Sequence, residues 1–331
     1  MRNFLNFIAS FTAIMLLMSI YALTSKGVYR NPEISEIKNN LDQPTQPLEL
    51  SPERGRFVLT MSLVKNKSFA LTEAMADAVY PDVGWHDGRF FILFAPGISI
   101  MAIPLYILGS YFNLSQVFSF YLSSIFATAN GIVIYVITRR VFKQPVWSSV
   151  FASMSFCLGS IAWAYAVALY QHHVTTFLIL SGFYAVWKYR QKRKFSWIYA
   201  AYVWTSYALA VWVDYPNALL FLPVMVYLGI SAINVTESQI SHRFSFRTSL
   251  LFTSIIFIGL SAVHGYYNQV HFGSWSKLSG GIIDYKKIKE GKLLETSGGE
   301  LKIREIEDKI NPAKYFSEVD FPLGIYTLLI S

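Results

Sequence analysis

The side chains best suited to group-transfer chemistry fall in four short polar stretches of an otherwise apolar chain. A carboxylate can take a proton from a hydroxyl, and a guanidinium can hold a phosphate through two parallel hydrogen bonds. The four stretches hold Glu53, Arg54 and Arg56; Asp82, His86, Asp87 and Arg89; His172 and His173; and Asp214 and Tyr215. Whether they form one site depends on the elements that position them.

The composition indicates that those elements are transmembrane helices. Of the 331 residues, 53% are apolar and only 15% are charged, and the mean hydropathy is +0.38. A soluble domain carries about 25% charged residues. The net charge of +8 does not indicate nucleic-acid binding, because most basic residues lie in short loops between apolar runs. The lone Cys157 offers neither a disulfide framework nor the cysteine spacing of a zinc site.

Apolar runs of about 20 residues are long enough to cross a bilayer. An uncleaved first helix is predicted over residues 4–23, because no clear signal-peptide cleavage site follows. The further predicted spans cover residues 114–137, 146–169, 174–187, 195–213, 218–235 and 249–263. We therefore predict an all-α polytopic membrane protein with about seven to eight transmembrane helices.

The basic loops predict the orientation of these helices. There are three such loops. The first contains Arg139, Arg140 and Lys143, the second covers residues 188–194, and the third contains Arg243 and Arg247. All three should be cytoplasmic, whereas the turns at His172 and Asp214 lack Lys and Arg and should lie outside. This alternation requires that residues 90–112 do not span, so we predict a bent, proline-broken helix dipping into the outer interface. The alternative is an ordinary span at which the charge rule fails once.

Five segments follow from this topology. They are the first transmembrane helix (1–24), an extracytoplasmic loop with juxtamembrane helices (25–112), a transmembrane bundle (113–265), a second extracytoplasmic segment (266–320) and the start of a further transmembrane helix (321–331). Residues 31–52 should form an extended linker, and Pro52 should start an amphipathic helix on the membrane surface. Residues 286–309 should form a solvated helix or a mobile loop.

The polar stretches also have ordinary explanations. A loop carboxylate such as Asp82 is usually just solvated, and Asp214 is placed to cap the next helix. Ionisable groups at membrane depth are nonetheless functional candidates by default. We therefore assign His173, Asp214 and Tyr215 to an outer cavity.

Several short motifs, in this order, resemble the GT-C superfamily of integral-membrane glycosyltransferases. They are the segment Glu53 to Thr60, Asp87-Gly88-Arg89 followed by Ala95-Pro96-Gly97, the Gln171-His172 turn, Asp214-Tyr215-Pro216, and Tyr267-Asn268. The resemblance covers nearly the whole chain. The chain is most similar to bacterial relatives of protein O-mannosyltransferases and of the lipid A aminoarabinose transferase.

The resemblance implies transfer of a sugar from a polyprenyl-phosphate donor to an extracytoplasmic lipid, glycan or protein. The enzyme would lie among the lipids of the cytoplasmic (inner) membrane, with its active face outside and with no cofactor or metal. In the family an acidic residue of the first outer loop lies near the reacting atoms, so Glu53 is the expected catalytic base and Asp87 the second choice. The expected ligands of the donor phosphate are Arg54, Arg56, Arg89 and His172.

Two features depart from the family pattern. Many relatives place an Asp-Lys pair before Ala-Pro-Gly, where this chain has Leu93 and Phe94, so the cation for the phosphate must come from elsewhere. Similar proteins also continue beyond the apolar run that starts at Phe321, so this chain is expected to be the N-terminal part of a longer enzyme or a truncated homologue. The alternative functions are a membrane transporter, which would show paired broken helices in two repeats, or a non-catalytic lipid-binding membrane protein.

Overall fold

The computed structural model describes residues 2–39, 51–191, 196–237, 242–284, 294–297 and 300–303, and most of these are helical. The helices are Arg2–Leu23 (α1), Ile34–Asn39 (α2), Ser51–Lys65 (α3), Glu73–Val79 (α4), Gly97–Tyr111 (α5), Ser115–Arg140 (α6), Val146–Leu158 (α7), Ala162–Ala166 (α8), His172–Gln191 (α9), Ser196–Val213 (α10), Asn217–Leu220 (α11), Leu222–Ala232 (α12) and Ser249–Phe272 (α13). The strands are Val83–His86 (β1), Arg89–Ile92 (β2), Ile233–Glu237 (β3), His242–Phe246 (β4), Ile283–Asp284 (β5), Leu294–Ser297 (β6) and Glu300–Ile303 (β7).

The helices pack in a series in which neighbours in space are often neighbours in sequence. Helix α5 lies against α6, α6 against α9, α9 against α10, and α10 against α13. Helix α3 packs on α5 and α4 at one end of this series. One apolar core runs from Phe57 of α3 through Phe120 of α6 to Phe221 before α12. Helix α3 and the helices that follow it therefore share a core.

Among the described residues, two helices, α6 and α13, are long and apolar enough to cross a membrane. On α13, Phe252 and Ile255 are 77% and 70% exposed, so this helix presents an apolar face outward instead of burying it. Shorter apolar helices cover Thr12–Leu23 within α1, α5, α7 and Asn217–Ala232. Membrane association thus has support from these helices, while the topology of about seven to eight spans stays a prediction.

Two predicted spans are interrupted in the structure. The run 146–169 breaks after α7, where the Ser160 hydroxyl donates to the Phe156 carbonyl at 2.7 Å and accepts from the Ala162 N–H at 3.2 Å. The run 218–235 divides into α11 and α12 and then enters β3 at Ile233. Helix α13 instead continues to Phe272, so the predicted boundary at 265 and 266 falls inside a helix.

Helix α3 starts as predicted, with Pro52 in its first turn, but it does not lie on a surface. Phe57, Val58 and Met61 are all fully buried. The hydroxyl of Thr60 donates to the Arg56 carbonyl at 2.8 Å, and that of Ser62 donates to the Ser68 carbonyl at 3.0 Å. Because its polar side chains find partners inside the protein, the helix can be buried on all sides.

The expectation of a wholly α-helical chain and of one broken helix over residues 90–112 is wrong in detail. Strand β2 occupies Arg89–Ile92 and pairs antiparallel with β1, which also pairs with β5. Helix α5 begins only at Gly97 and runs through Pro104 without ending there. The predicted linker contains α2, and residues 40–50 lie outside the described part.

Further along the chain, β3 pairs with β4, and β6 pairs with β7 where a helix or loop was predicted. The expected further span at 321–331 lies outside the described residues.

Candidate functional site

The structure brings together a cluster of ionisable side chains from four segments, at the end of the bundle where α3 and α9 begin. It consists of Glu53, Arg54 and Arg56 of α3, Asp82 just before β1, Tyr170 and His172 at the start of α9, and Asp214 just after α10. We call this set the polar cluster. Its interior is buried, since Glu53 and Arg56 are each only 2% exposed and Arg54 is 6% exposed.

Arg56 is the cation at the centre of the polar cluster. Burial lowers its pKa to about 10, while the charge of Asp214, the largest of several opposing effects, acts to raise it. The side chain is therefore still a cation at neutral pH. Its Nη1 donates to the Pro52 carbonyl at 3.2 Å, and the guanidinium carbon lies 4.9 Å from the centre of the Phe94 ring. An aromatic face thus supports the guanidinium from one side.

The main-chain carbonyl of Arg56 is also held by hydrogen bonds. Its carbonyl oxygen accepts the Thr60 hydroxyl at 2.8 Å and the Ser99 hydroxyl at 2.9 Å. Thr60 is one turn further along α3, whereas Ser99 belongs to α5. The two helices are therefore fixed to each other at the residue that carries the central cation.

Arg54 lies beside Asp82. Its Nη2 donates to the Tyr80 carbonyl at 3.4 Å. Burial lowers the pKa of Arg54, and the charges of Asp82 and Glu53 act in the opposite direction. The charges of Asp82 and Glu53 thus act on both arginines.

Tyr170 forms the link from Glu53 to the start of α9. Burial raises the pKa of Tyr170, and the charge of Glu53 and a hydrogen bond to it raise that pKa further. The phenol therefore stays protonated and acts as the donor toward the carboxylate of Glu53. The main chain of Tyr170 is fixed by α6, because the Ser123 hydroxyl donates to its carbonyl at 3.3 Å.

His172 lies at the exposed edge of the polar cluster. Its ring stacks on Tyr170, with centres 5.6 Å apart, and meets Tyr165 edge to face at 4.3 Å. Partial burial lowers the pKa of His172, the charge of Arg56 lowers it further, and Asp214 opposes both effects. The imidazole is accordingly neutral at pH 7 and marks the side on which the cluster reaches solvent.

Asp214 completes the polar cluster from the far side of the bundle. It does not cap the next helix, since one of its carboxylate oxygens accepts Nε2–H of Gln171 at 3.1 Å. Gly97 allows this placement: a Cβ added there would lie 2.3 Å from the Trp212 carbonyl oxygen. A glycine at the start of α5 therefore lets the end of α10 come close enough for Asp214 to act on Arg56.

Four of the predicted site residues lie elsewhere. Asp87 occupies the exposed turn of the β1–β2 hairpin, with φ +49° beside Gly88 at +73°. Arg89, also exposed, follows this turn, and its charge acts on His271 instead of on the cluster.

The other two, Tyr215 and His173, form hydrogen bonds within the fold. The Tyr215 hydroxyl is hydrogen-bonded to the Ser279 hydroxyl at 2.9 Å. His173 points into the bundle, where Nε2 donates to the Ala162 carbonyl at 2.8 Å and Nδ1 accepts from Asn130 at 3.2 Å. Its assignment to an outer cavity is therefore wrong.

Sequence reasoning gave too little weight to Asp82, Tyr170 and Gln171. Tyr170 and Gln171 directly precede the histidine pair, so their position next to a candidate residue was an available signal. Nothing in the sequence distinguishes Asp82 from a solvated loop carboxylate.

Within the described segments, no group of three or more His, Cys, Asp or Glu side chains is arranged to hold a metal ion. No family model, curated protein or solved structure matches this chain.

Proposed function

We propose that this protein is a GT-C-type membrane glycosyltransferase, which moves a sugar from a polyprenyl-phosphate donor to an extracytoplasmic acceptor. The observation that carries the proposal is the buried Arg56, which lies among Glu53, Asp82 and Asp214 in a cluster that opens to solvent at His172. Burying a charge costs several kcal/mol unless it is paired. Ionisable groups at membrane depth are commonly kept for function.

The residue types of the polar cluster suit this reaction. The acceptor hydroxyl attacks the anomeric carbon, the bond from that carbon to the phosphate oxygen breaks, and polyprenyl phosphate leaves. Glu53 takes the proton of the hydroxyl as general base. Arg56 and Arg54 neutralise the charge that develops on the departing phosphate. The transition state resembles the oxocarbenium ion of glycoside hydrolysis.

The position of Phe94 supports the assignment of Arg56 to the phosphate. The GT-C pattern that this segment resembles has a lysine there, and this chain instead places an aromatic ring against a buried guanidinium. A guanidinium on an aromatic face keeps its outward N–H groups available for a bidentate anion. Nε of Arg56 has no hydrogen-bond partner among the described residues, so the side chain has donor capacity left.

The test compares Glu53→Gln with Asp87→Asn in the membrane-embedded protein. Release of polyprenyl phosphate from a set of polyprenyl-phosphate hexoses and pentoses is measured with acceptor-containing membranes. Glu53→Gln should lower the rate by about a hundredfold or more while donor binding is retained, and Asp87→Asn should be close to wild type. Equal rates for both variants, or no release by the wild type from any donor, would end this assignment.

A further inference from the structure

A groove separates α10 from α13 on the outside of the bundle, at the end where both helices begin. Its volume is about 450 Å³, which falls within the range of about 300–1,000 Å³ typical of small-molecule sites. Trp197 and Ala201 form one wall, Phe252 and Ile255 form the other, and Ser249 lies at one end. The groove is remote from the polar cluster, which lies where α10 ends.

The walls of the groove are apolar and open to the surroundings. Trp197 is 54% exposed, and Phe252 is more exposed still. An apolar surface of this kind marks a site for a protein, a ligand or a membrane. Helix α13 is a candidate membrane span, and an embedded α13 would turn these walls toward the lipid.

Positive charge collects at the end of the groove marked by Ser249. Arg247 directly precedes Thr248 and Ser249, and its Nη2 donates to the main-chain carbonyl of Arg190 at 3.4 Å. Its guanidinium also lies 5.0 Å from the centre of the Tyr189 ring. The start of α13 is thus bound to the last turn of α9, where Arg190 is exposed.

The sequence on either side of this contact carries no acidic residue. Residues 186–191 and 247–256 contain no Asp or Glu. The first N–H groups of α13 add the positive end of a helix dipole. The positive-inside rule also predicts that this end of the bundle faces the cytoplasm.

We propose that the groove binds one acyl chain of an anionic phospholipid, with the headgroup phosphate at Arg247 and Arg190. Basic pockets between helices on the cytoplasmic side are known sites for acidic headgroups. The apolar walls take the chain, and the two cations select the headgroup. This site does not depend on the glycosyltransferase proposal, because it shares no residue with the polar cluster.

Fluorescence quenching by brominated lipids tests the proposal. The full chain is reconstituted in vesicles that contain either brominated phosphatidylglycerol or brominated phosphatidylcholine at equal mole fraction. The signal of Trp197 is the difference between the wild type and Trp197→Phe. Trp147 is a matched control, since it is 83% exposed and lies near Arg139, Arg140 and Lys143, but it does not line the groove.

Phosphatidylglycerol should quench Trp197 at least twofold more strongly than phosphatidylcholine does, and Trp147 should show a smaller preference. Arg190→Glu leaves the contacts of Arg247 intact and should remove the preference at Trp197, whereas Arg140→Glu should not. Equal quenching by the two lipids, no quenching by either, an equal preference at Trp147, or a preference that survives Arg190→Glu would each overturn the proposal.

Discussion

The phenol of Tyr170 donates a hydrogen bond to the carboxylate of Glu53, and both groups are buried. This bond joins the start of α9 to the first turn of α3, two segments that are far apart in the sequence. It also fixes the direction of the carboxylate that we propose as general base. Tyr170 therefore has a role that can be measured separately from that of Glu53.

Tyr170→Phe should weaken both the fold and the reaction. A hydrogen bond to a charged group contributes about 1.5–3 kcal/mol, so thermal unfolding in detergent should show a loss of that order. Sugar transfer should fall about tenfold, because a misplaced general base raises the activation barrier and each 1.4 kcal/mol of barrier is a tenfold change in rate. Tyr165→Phe is the control, since its ring contact with His172 is kept. A Tyr170→Phe protein that is as stable and as active as wild type would contradict the bond.

Arg56→Ala should be strongly destabilising. It removes the cation on which the charges of Asp214, Asp82 and Glu53 all act, and breaking a buried charge pair costs about 3–5 kcal/mol. Arg56→Lys restores the charge but not the planar fork, so it should recover part of the stability while donor binding remains weak. Arg89→Ala, at the exposed hairpin, should lie within about 0.5 kcal/mol of wild type. The midpoint of denaturation and donor binding are measured for each variant. Full donor binding by Arg56→Lys would argue against a phosphate site at this residue.

Donor binding should strengthen as the pH falls, and protonation of His172 should cause this. In the free protein its pKa is lowered from the usual value of about 6.5. A bound phosphate favours the imidazolium and raises that pKa, so the complex takes up a proton. Affinity therefore rises as the pH falls through the raised pKa and levels off below the lower one. Titration of wild type and His172→Gln between pH 5 and pH 8 checks this, and the variant should give a flatter profile. An unchanged profile would remove His172 from the phosphate site.

Gly97→Ala and Gly229→Ala should have opposite effects on stability. A Cβ at Gly97 would meet the Trp212 carbonyl, so α5 and α10 must separate, at a cost of about 1–3 kcal/mol. A Cβ at Gly229, within α12, meets no atom within 4 Å, and alanine in a helix is favoured by roughly 0.5–1 kcal/mol. Thermal unfolding of the two variants measures the difference. Destabilisation by both alike would mean that the close approach at Trp212 is not what matters.

Hydropathy alone predicted much of the helical framework. The predictions that failed concern local features, such as breaks within helices and turns. The run 146–169 contains no charged residue and is mostly apolar, so hydropathy does not show the break at Gly159 and Ser160. The burial of α3 depends on what packs around Phe57 and Met61, which no local pattern reveals. The turn at Asp87 and Gly88 could have been predicted, because an Asp-Gly pair between apolar segments is a strong hairpin signal.

Five of the residues chosen from the sequence lie together in the structure: Glu53, Arg54, Arg56, His172 and Asp214. The turns that hold them were expected to converge, and the roles assigned to these residues remain proposals. Asp87 was misplaced because it is close to the cluster in sequence but projects from a hairpin. The role of Tyr170 was underestimated because aromatic residues at a membrane interface usually need no further explanation. Its bond to Glu53 is a tertiary contact that the sequence does not contain.

The adjacent histidines set the rotational angle of α9. Both ring nitrogens of His173 are engaged, one by Ala162 and the other by Asn130 of α6. Successive residues of a helix are about 100° apart around its axis, so His172 is aimed at the polar cluster by the bonds of its neighbour. The hydrogen bonds of Asn130 thus fix the rotation of α9 about its axis. A substitution at Asn130 would turn His172 away from the cluster without altering any residue of the cluster itself.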